Sequence, residues 1–365
     1  MNLKIKTETL QTMVGKVSKC VSNNKLIPLT SLLNIRVENN ILVLTATNAT
    51  NYFYVSDETK YNVENFEISV MADTFTKLVQ KTTSEYITLD LDGAKLKVKG
   101  NGTYTMELPL DENGDIIRFP KKLAKAEEEY DISAAYTLKL STVKNILAVN
   151  KASLADNMEL PVLTCYYCGD SVITSDRKKI CKNAINVFET PLLITSQLME
   201  LLGCLTDEDI SVHVRGDNLI FSTLRDDIYA PITEGIETFP VGAIDSLCDT
   251  DFNSKCRISK SAVLNVIDRL SLFVSPYDKK GIYLTFNNEG LLLSSKKSSG
   301  EELVPYLASE NFSPYTCCID IEMFKGQLST HSEDEIDLYY GLDQAIKLVN
   351  NNVTQIIALI PDDRI

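Results

Sequence analysis

The residues of this chain that could carry chemistry are few, and their spacing does not gather them into a site. Two histidines and nine cysteines stand among 50 acidic residues in a sequence of 365. Acid–base or nucleophilic work needs a base within hydrogen-bond reach of the group it activates. His213 lies in an alternating segment and His331 closes a helical one, and neither sits with a Cys or Ser in a recognisable nucleophile context. Cys165 and Cys168 have the gap of a zinc half-site. Residues three apart on a strand point to opposite faces, however, and no second pair follows at finger spacing. Cys317-Cys318 reads as a strand start. Glu127-Glu128-Glu129 and Glu333-Asp334-Glu335 fall in a linker and a turn, whereas a two-metal site draws carboxylates from separate elements. Asp90–Gly93 and Asp111–Asp115 lack the closing Glu of a calcium loop and read as hairpin turns. There is no phosphate-cradling glycine loop. The sequence predicts no catalytic residue, no metal site and no cofactor.

The basic residues do form a pattern. The chain carries 36 basic against 50 acidic residues, net −14, which by itself argues against nucleic acid. The six predicted helices depart from that average: together they net +3, so the remainder holds −17. Lys16 and Lys19 are three apart, Lys77 and Lys81 four apart, Lys144 and Lys151 seven apart, each pair on one side of its helix. A solvated face explains any single pair. Recurrence in three of six helices of an acidic protein points to a shared purpose.

These helices belong to a threefold repeat. Amphipathic segments open the copies at Thr7–Ser22, Leu140–Leu154 and Ile258–Phe273, and a second helix recurs at Met71–Thr83, Ile194–Leu205 and Ile319–His331. Thr7 to Pro28 and Leu140 to Pro161 are equal spacings, and Phe119-Pro120 and Phe239-Pro240 close the first two copies. Apolar residues fall at helical spacing, as in Leu10, Met13, Val14, Val17 and in Val263, Val266, Ile267, Leu270. Between the helices run strands: Ile41–Thr45, Tyr86–Leu91, Val162–Tyr167, Ile210–Val214, Ile282–Phe286 and Ile336–Tyr340, joined by turns at Asp92-Gly93, Gly216-Asp217 and Glu289-Gly290. The fold class is therefore α+β, with three copies of two helices packed on antiparallel sheets. Linkers fall at Lys121–Tyr130 and Val241–Lys255, giving domains at 1–122, 129–242 and 248–365. No apolar run reaches the ~18 residues of a membrane span. With no apolar signal region at the N-terminus, the chain is expected in the cytoplasm, its cysteines reduced and its Asn-x-Ser/Thr triplets at Asn48, Asn101, Asn311 and Asn352 fortuitous.

Three stretches carry a family resemblance over the whole chain. Ile27-Pro28-Leu29, then Leu32–Val37, then Leu44-Thr45-Ala46-Thr47-Asn48, resembles the first domain of the bacterial DNA polymerase sliding clamp, the beta subunit of the replicative polymerase. Leu160-Pro161-Val162-Leu163 followed by Thr174-Ser175-Asp176 is similar to its second. Ile360-Pro361 through Arg364-Ile365 is similar to its C-terminal tail. Two places depart from the family pattern. The second-domain loop, usually Thr-Asp, two residues, Arg-Leu, here reads Ser175-Asp176-Arg177-Lys178-Lys179-Ile180, and the tail carries Asp362-Asp363. Both lie at the family's partner cleft and leave the partner set open. The Lys- and Asn-rich composition suits a phage-borne or accessory member.

The resemblance implies half of a closed ring, completed as a head-to-tail homodimer, that encircles duplex DNA without reading sequence. It implies short-peptide partners in the replicative DNA polymerase and the clamp loader, and no membrane. The DNA-facing set would include Lys16, Lys19, Lys25, Lys77 and Lys81 of the first copy, Lys144 and Lys151 of the second, and Lys260 and Arg269 of the third. The peptide cleft would have its wall at Leu160, Ser175, Asp176, Lys178, Lys179 and Ile180, its far side at Leu247 and Met323, and its lip at Ile360, Pro361 and Arg364. Arg177, Lys178 and Lys179 would favour a peptide with acidic residues beside its anchors. The dimer would join the edge strand Thr103–Leu108, with Thr103, Met106 and Leu108, to Phe273 and Val274. Two other readings stay open: a clamp-like decoy that binds replication proteins without encircling DNA, and a nucleic-acid enzyme, which would need the clustered site the sequence lacks.

Overall fold

The structure, a computed structural model, describes residues 2–24, 26–59, 64–119, 136–156, 159–273, 280–296 and 299–361. Among them every strand pairing is antiparallel, and helices pack on the sheets. The chain divides into two units: residues 1–143 with 197–232, and residues 144–196 with 233–365.

In the first unit an eight-stranded sheet runs in the order β5 (Phe66–Met71), β2 (Leu32–Glu38), β3 (Ile41–Thr47), β4 (Tyr52–Glu58), β16 (Asp226–Pro231), β15 (Asn218–Ser222), β14 (Asp209–Arg215) and β9 (Tyr136–Lys139), strands being numbered in chain order. The copies join edge to edge, β4 pairing with β16 at Val55 and Asp226. A four-stranded sheet runs β1 (Asn2–Lys6), β6 (Tyr86–Asp92), β7 (Lys95–Lys99), β8 (Thr103–Glu107). Helix α1 (Thr7–Val17) buries Leu10, Met13, Val14 and Val17, the residues its spacing selects. It lies beside α2 (Ala72–Lys81): the Gln11 amide donates to the Val79 and Thr82 carbonyls at 3.0 and 2.9 Å.

In the second unit nine strands run β13 (Leu192–Thr195), β10 (Cys165–Cys168), β11 (Val172–Ser175), β12 (Lys179–Asn183), β25 (Val353–Ala358), β24 (Ala345–Asn350), β23 (Glu335–Leu342), β17 (Ser254–Ser259) and β21 (Ala308–Glu310). Here β12 joins β25, Ile180 facing Ile356. A further sheet runs β20 (Glu301–Pro305), β19 (Gly290–Ser295), β18 (Gly281–Phe286), β22 (Tyr315–Asp320). Helices α5 (Val241–Cys248), α6 (Lys260–Leu270) and α7 (Ile321–Ser329) belong to this unit, and the chain passes between units within α3 (Leu140–Asn150) and at α4 (Ser196–Leu202). Ile346, Leu348 and Ile357 form one core with α6 and α7, while Ile180 and Ile356 form another with α5. Successive strand residues point to opposite faces, so β25 contributes Ile357 to one core and Ile356 to the other.

The repeat is close in backbone detail. A 3-10 turn follows α1 at Ser18–Cys20 and α3 at Lys151–Ser153. Ile27 (φ −129, ψ 84) and Leu160 (φ −128, ψ 86) then lead into 3-10 turns at Pro28–Ser31 and Pro161–Thr164.

Three features differ from the expected outline. The predicted linker Val241–Lys255 contains α5, because Ile244 and Cys248 on one face of it are buried against Leu163 and Phe239. The predicted strand Val162–Tyr167 opens as a 3-10 turn and becomes extended only at Cys165. Each copy begins with a strand, β1, β9 or β17, whose end leads straight into the helix. The predicted linker Lys121–Tyr130 lies outside the described residues. At the Glu289-Gly290 turn glycine answers to space rather than to dihedral angle: a Cβ on Gly290 would stand 2.3 Å from the Val304 carbonyl oxygen.

Candidate functional site

The helix lysines separate into those already neutralised and those left open. Lys16 Nζ lies 2.6 Å from Asp226 Oδ2 and 3.0 Å from Thr206 Oγ1, with side chains 12% and 0% exposed for the ion pair. Burial pushes the Asp226 carboxyl above its ordinary range, against the pull of the Lys16 hydrogen bond. Lys77 pairs with Asp73 one turn earlier at 2.8 Å, both exposed. Arg269 makes a two-pronged contact with Glu302, at 2.7 and 2.6 Å. The Lys260 amine donates to the His331 carbonyl at 2.7 Å. Lys151 is exposed. Lys19, Lys81 and Lys144 are exposed and, among the described residues, carry no carboxylate partner. Lys25 lies outside the described residues. The exposed charge thus sits on the 3-10 turn after α1, on α2 and on α3.

The predicted cleft residues are all in the second unit, where the structure brings some together and separates others. Leu160 is half-buried against the core that holds Ile180, Ile356 and Ile244, and Leu247 is exposed on α5 beside it. Met323 packs instead into the core of α6 and α7, which β25 meets with its other face. Ile360 bridges to Cys318, its amide donating to that carbonyl at 2.8 Å, and Pro361 beyond it is exposed. Arg364 lies outside the described residues.

The turn from β11 to β12 is held from within. The Asp176 carboxylate accepts the Lys178 and Lys179 amides at 2.9 and 2.7 Å, and the buried Ser175 hydroxyl accepts the Arg177 amide at 3.1 Å. Arg177 stands at φ 74, the left-handed region, at the turn's apex. Lys179 folds inward, its amine donating to the Ala152 carbonyl at 2.6 Å and pairing with Asp176 at 3.2 Å. Only Arg177 and Lys178 present their charge to solvent.

Of the predicted dimer residues, Thr103 and Met106 lie on the edge strand β8, and Leu108 and Phe273 lie just beyond a strand and a helix. In the first unit, among the described residues, β8 pairs only with β7, leaving its outer edge open, with Thr103 exposed, Tyr104 48% exposed and Met106 half-buried. Leu108 is buried. In the second unit Leu272 and Phe273 are 80% and 55% exposed in the 3-10 turn Ser271–Phe273 that follows α6, and Phe273 reaches over Gly300 beside β20, an edge strand among the described residues. Val274 lies outside the described residues. Leu272 was not among the residues the sequence singled out. Only the end of the helix, turned away from its apolar face, reveals it.

Among the described residues no group of three His, Cys, Asp or Glu could hold a metal ion, and no helix is long and apolar enough to cross a membrane. Burial pushes the Cys165 and Cys168 thiols above their ordinary range, which leaves them poor nucleophiles.

Residues 1–118 match the sequence model of the DNA polymerase III beta subunit, N-terminal domain. No curated protein sequence matches the chain. Solved structures match it from end to end. The DNA polymerase III subunit beta of Borrelia burgdorferi, in complex with a natural product, is 15% identical with a TM-score of 0.84, covering 99% of each chain. The beta subunit from DNA polymerase of Streptococcus pyogenes is 14% identical with a TM-score of 0.85, covering 99% of this chain and 100% of that one. The DNA polymerase sliding clamp of Bacillus subtilis is 14% identical with a TM-score of 0.84, covering 99% of each. The chain has the fold of the DNA polymerase III beta subunit, the sliding clamp.

Proposed function

We propose that this chain is a DNA sliding clamp: two copies close a ring around duplex DNA and tether the replicative polymerase to it. It acts topologically and without catalysis, so its direct affinity for DNA can be low. Inward lysines meet phosphates and read no bases, which permits sliding. The acidic remainder of the surface disfavours binding to DNA from outside. The observation that carries this reading is a clamp fold matched over 99% of the chain, in an acidic protein whose Lys19, Lys81 and Lys144 are exposed and, among the described residues, meet no carboxylate. Closure would join the open edge of β8 in one chain to β20 and the Leu272-Phe273 corner of the other, a head-to-tail contact that covers both edges.

A peptide groove would lie along Leu160, Ile180 and Leu247, with apolar anchors of a polymerase or loader segment seated against the core beneath them. The test is a primer-extension assay with the cognate polymerase on a long template. A clamp lengthens the products of a single binding event. A decoy that binds polymerase without encircling DNA shortens them or leaves them unchanged.

A further inference from the structure

The first unit contains a second version of the cleft turn, and it shows which parts the turn needs. Between β3 and β4 the Asn48 side chain accepts the Thr50 and Asn51 amides at 3.1 and 2.7 Å, and the Thr47 hydroxyl accepts the Ala49 amide at 3.0 Å. Ala49 sits at φ 79 where Arg177 sits at 74. Asn48 N to Asn51 O is 3.3 Å, and Asp176 N to Lys179 O is 3.1 Å. The two turns are therefore the same object, built from a hydroxyl, an Asx side chain and one left-handed residue. None of that requires a cation: Ala49, Thr50 and Asn51 stand where the second turn has Arg177, Lys178 and Lys179.

The three cations are thus additions, and the structure gives them different work. Arg177 and Lys178 are exposed, and among the described residues their side chains meet no partner. Lys179, with its side chain 18% exposed, reaches the Ala152 carbonyl, which also accepts from Gln327 of α7 at 3.3 Å. Gln327 Oε1 in turn accepts from the Ser153 hydroxyl at 3.1 Å. One carbonyl oxygen so fastens the turn both to the segment after α3 and to α7. The buried Asn51 has no such reach, and among the described residues its side-chain nitrogen has no partner.

We propose that Lys179 is a positioning residue that holds the cleft turn in place, and that Arg177 and Lys178 select a partner segment carrying carboxylates beside its apolar anchors. The proposal rests on the peptide-groove reading and divides the cations that the sequence placed together on its wall. A turn fixed before binding loses less freedom on binding, so the tether acts on any peptide that seats there. Two rim charges act only on a peptide with charge to meet them.

The experiment uses the full chain and two fluorescent peptides sharing a pair of leucine anchors, one with aspartates beside them and one with asparagines. Wild type should prefer the acidic peptide by roughly fivefold, the scale of two exposed charge pairs. R177A/K178T, which restores the first turn's residues, should erase that preference and leave the neutral peptide's affinity unchanged. K179M should weaken both peptides by the same factor, roughly fivefold, keep the preference, and speed amide exchange at residues 177–179, with K179R recovering part of the loss. Two results would overturn the division: a preference that survives R177A/K178T, or a K179M variant that loses only the acidic peptide while its turn amides exchange at the wild-type rate. If wild type binds neither peptide, the groove reading falls. The exchange rates still decide the tether, and unchanged rates in K179M would overturn it.

Discussion

Lys16 and Asp226 form an ion pair of 2.6 Å across 210 residues of sequence, with the aspartate fully buried. The pair ties α1 of the first copy to the β16 end of the second, within one unit. It also means that a lysine whose spacing marks it for DNA spends its charge inside the protein.

Breaking that pair from one side should be costly. K16M leaves a buried carboxylate without its cation, and the expected loss is roughly 3 kcal/mol, the scale for uncompensated buried charge. K16M/D226L removes both charges and should recover most of it. Urea denaturation of the three proteins checks this, and equal stability of K16M and wild type would mean that Asp226 takes up a proton at little cost.

The lysines without carboxylate partners should carry the electrostatic hold on DNA. K19E/K81E/K144E is expected to fold as wild type while its DNA retention becomes less sensitive to salt, by roughly 0.9 unit of log–log slope for each lost phosphate contact. Changing Lys77 or Arg269, which already face Asp73 and Glu302, should move the slope less. Retention measured from low to moderate salt separates the two groups, and a larger effect from the paired residues would reverse the assignment.

The apolar corner at Leu272 and Phe273 should hold the ring closed. L272D/F273D puts two charges where a partner's β8 edge would pack, and light scattering at micromolar concentration should show wild type as a dimer and the variant as a monomer. A wild type that is a stable monomer under the same conditions would refute ring closure by this contact.

His331 gives the second unit a pH dependence. Burial holds its imidazole below the ordinary value of 6.5, outweighing the Gln355 hydrogen bond of 3.0 Å, with Lys260 nearby adding to the depression. The folded chain therefore binds fewer protons than the unfolded chain over a window that opens near 6.5 and runs downward. In that window stability falls as pH falls, and above it the effect is absent. Melting temperature followed from pH 8 to 5 should drop more steeply for wild type than for H331N (the amide keeps a donor and cannot be protonated).

What the sequence reveals of this fold is what repeats at short range. The apolar faces of α1 and α6 and the equal runs from Thr7 to Pro28 and Leu140 to Pro161 mark the repeat before any coordinate does. The short helix α5 stays hidden because its eight residues bury only Ile244 and Cys248, too few to show a period, and Gly242, Asp245 and Ser246 read as turn formers; the tertiary core supplies the rest. The partners of Lys16 and Arg269 are hidden for another reason. Asp226 and Glu302 lie in distant strands, and side-chain spacing along a helix carries no trace of them. The inward turn of Lys179 is equally silent, since it depends on a carbonyl 27 residues away. Met323 shows the same limit in reverse: it lies close to the predicted cleft in the repeat yet packs on the other face of the sheet.

The most direct measurement of the proposed topology compares one DNA in two forms. The protein is loaded by its cognate loader onto a nicked circular duplex, the loader is removed, and half of the DNA is cut once. A ring that holds DNA by encircling it stays on the circle and slides off the ends of the cut molecule, so retention should be high before cutting and lost after it. Equal retention on circular and cut DNA, or none on either, would contradict a sliding clamp.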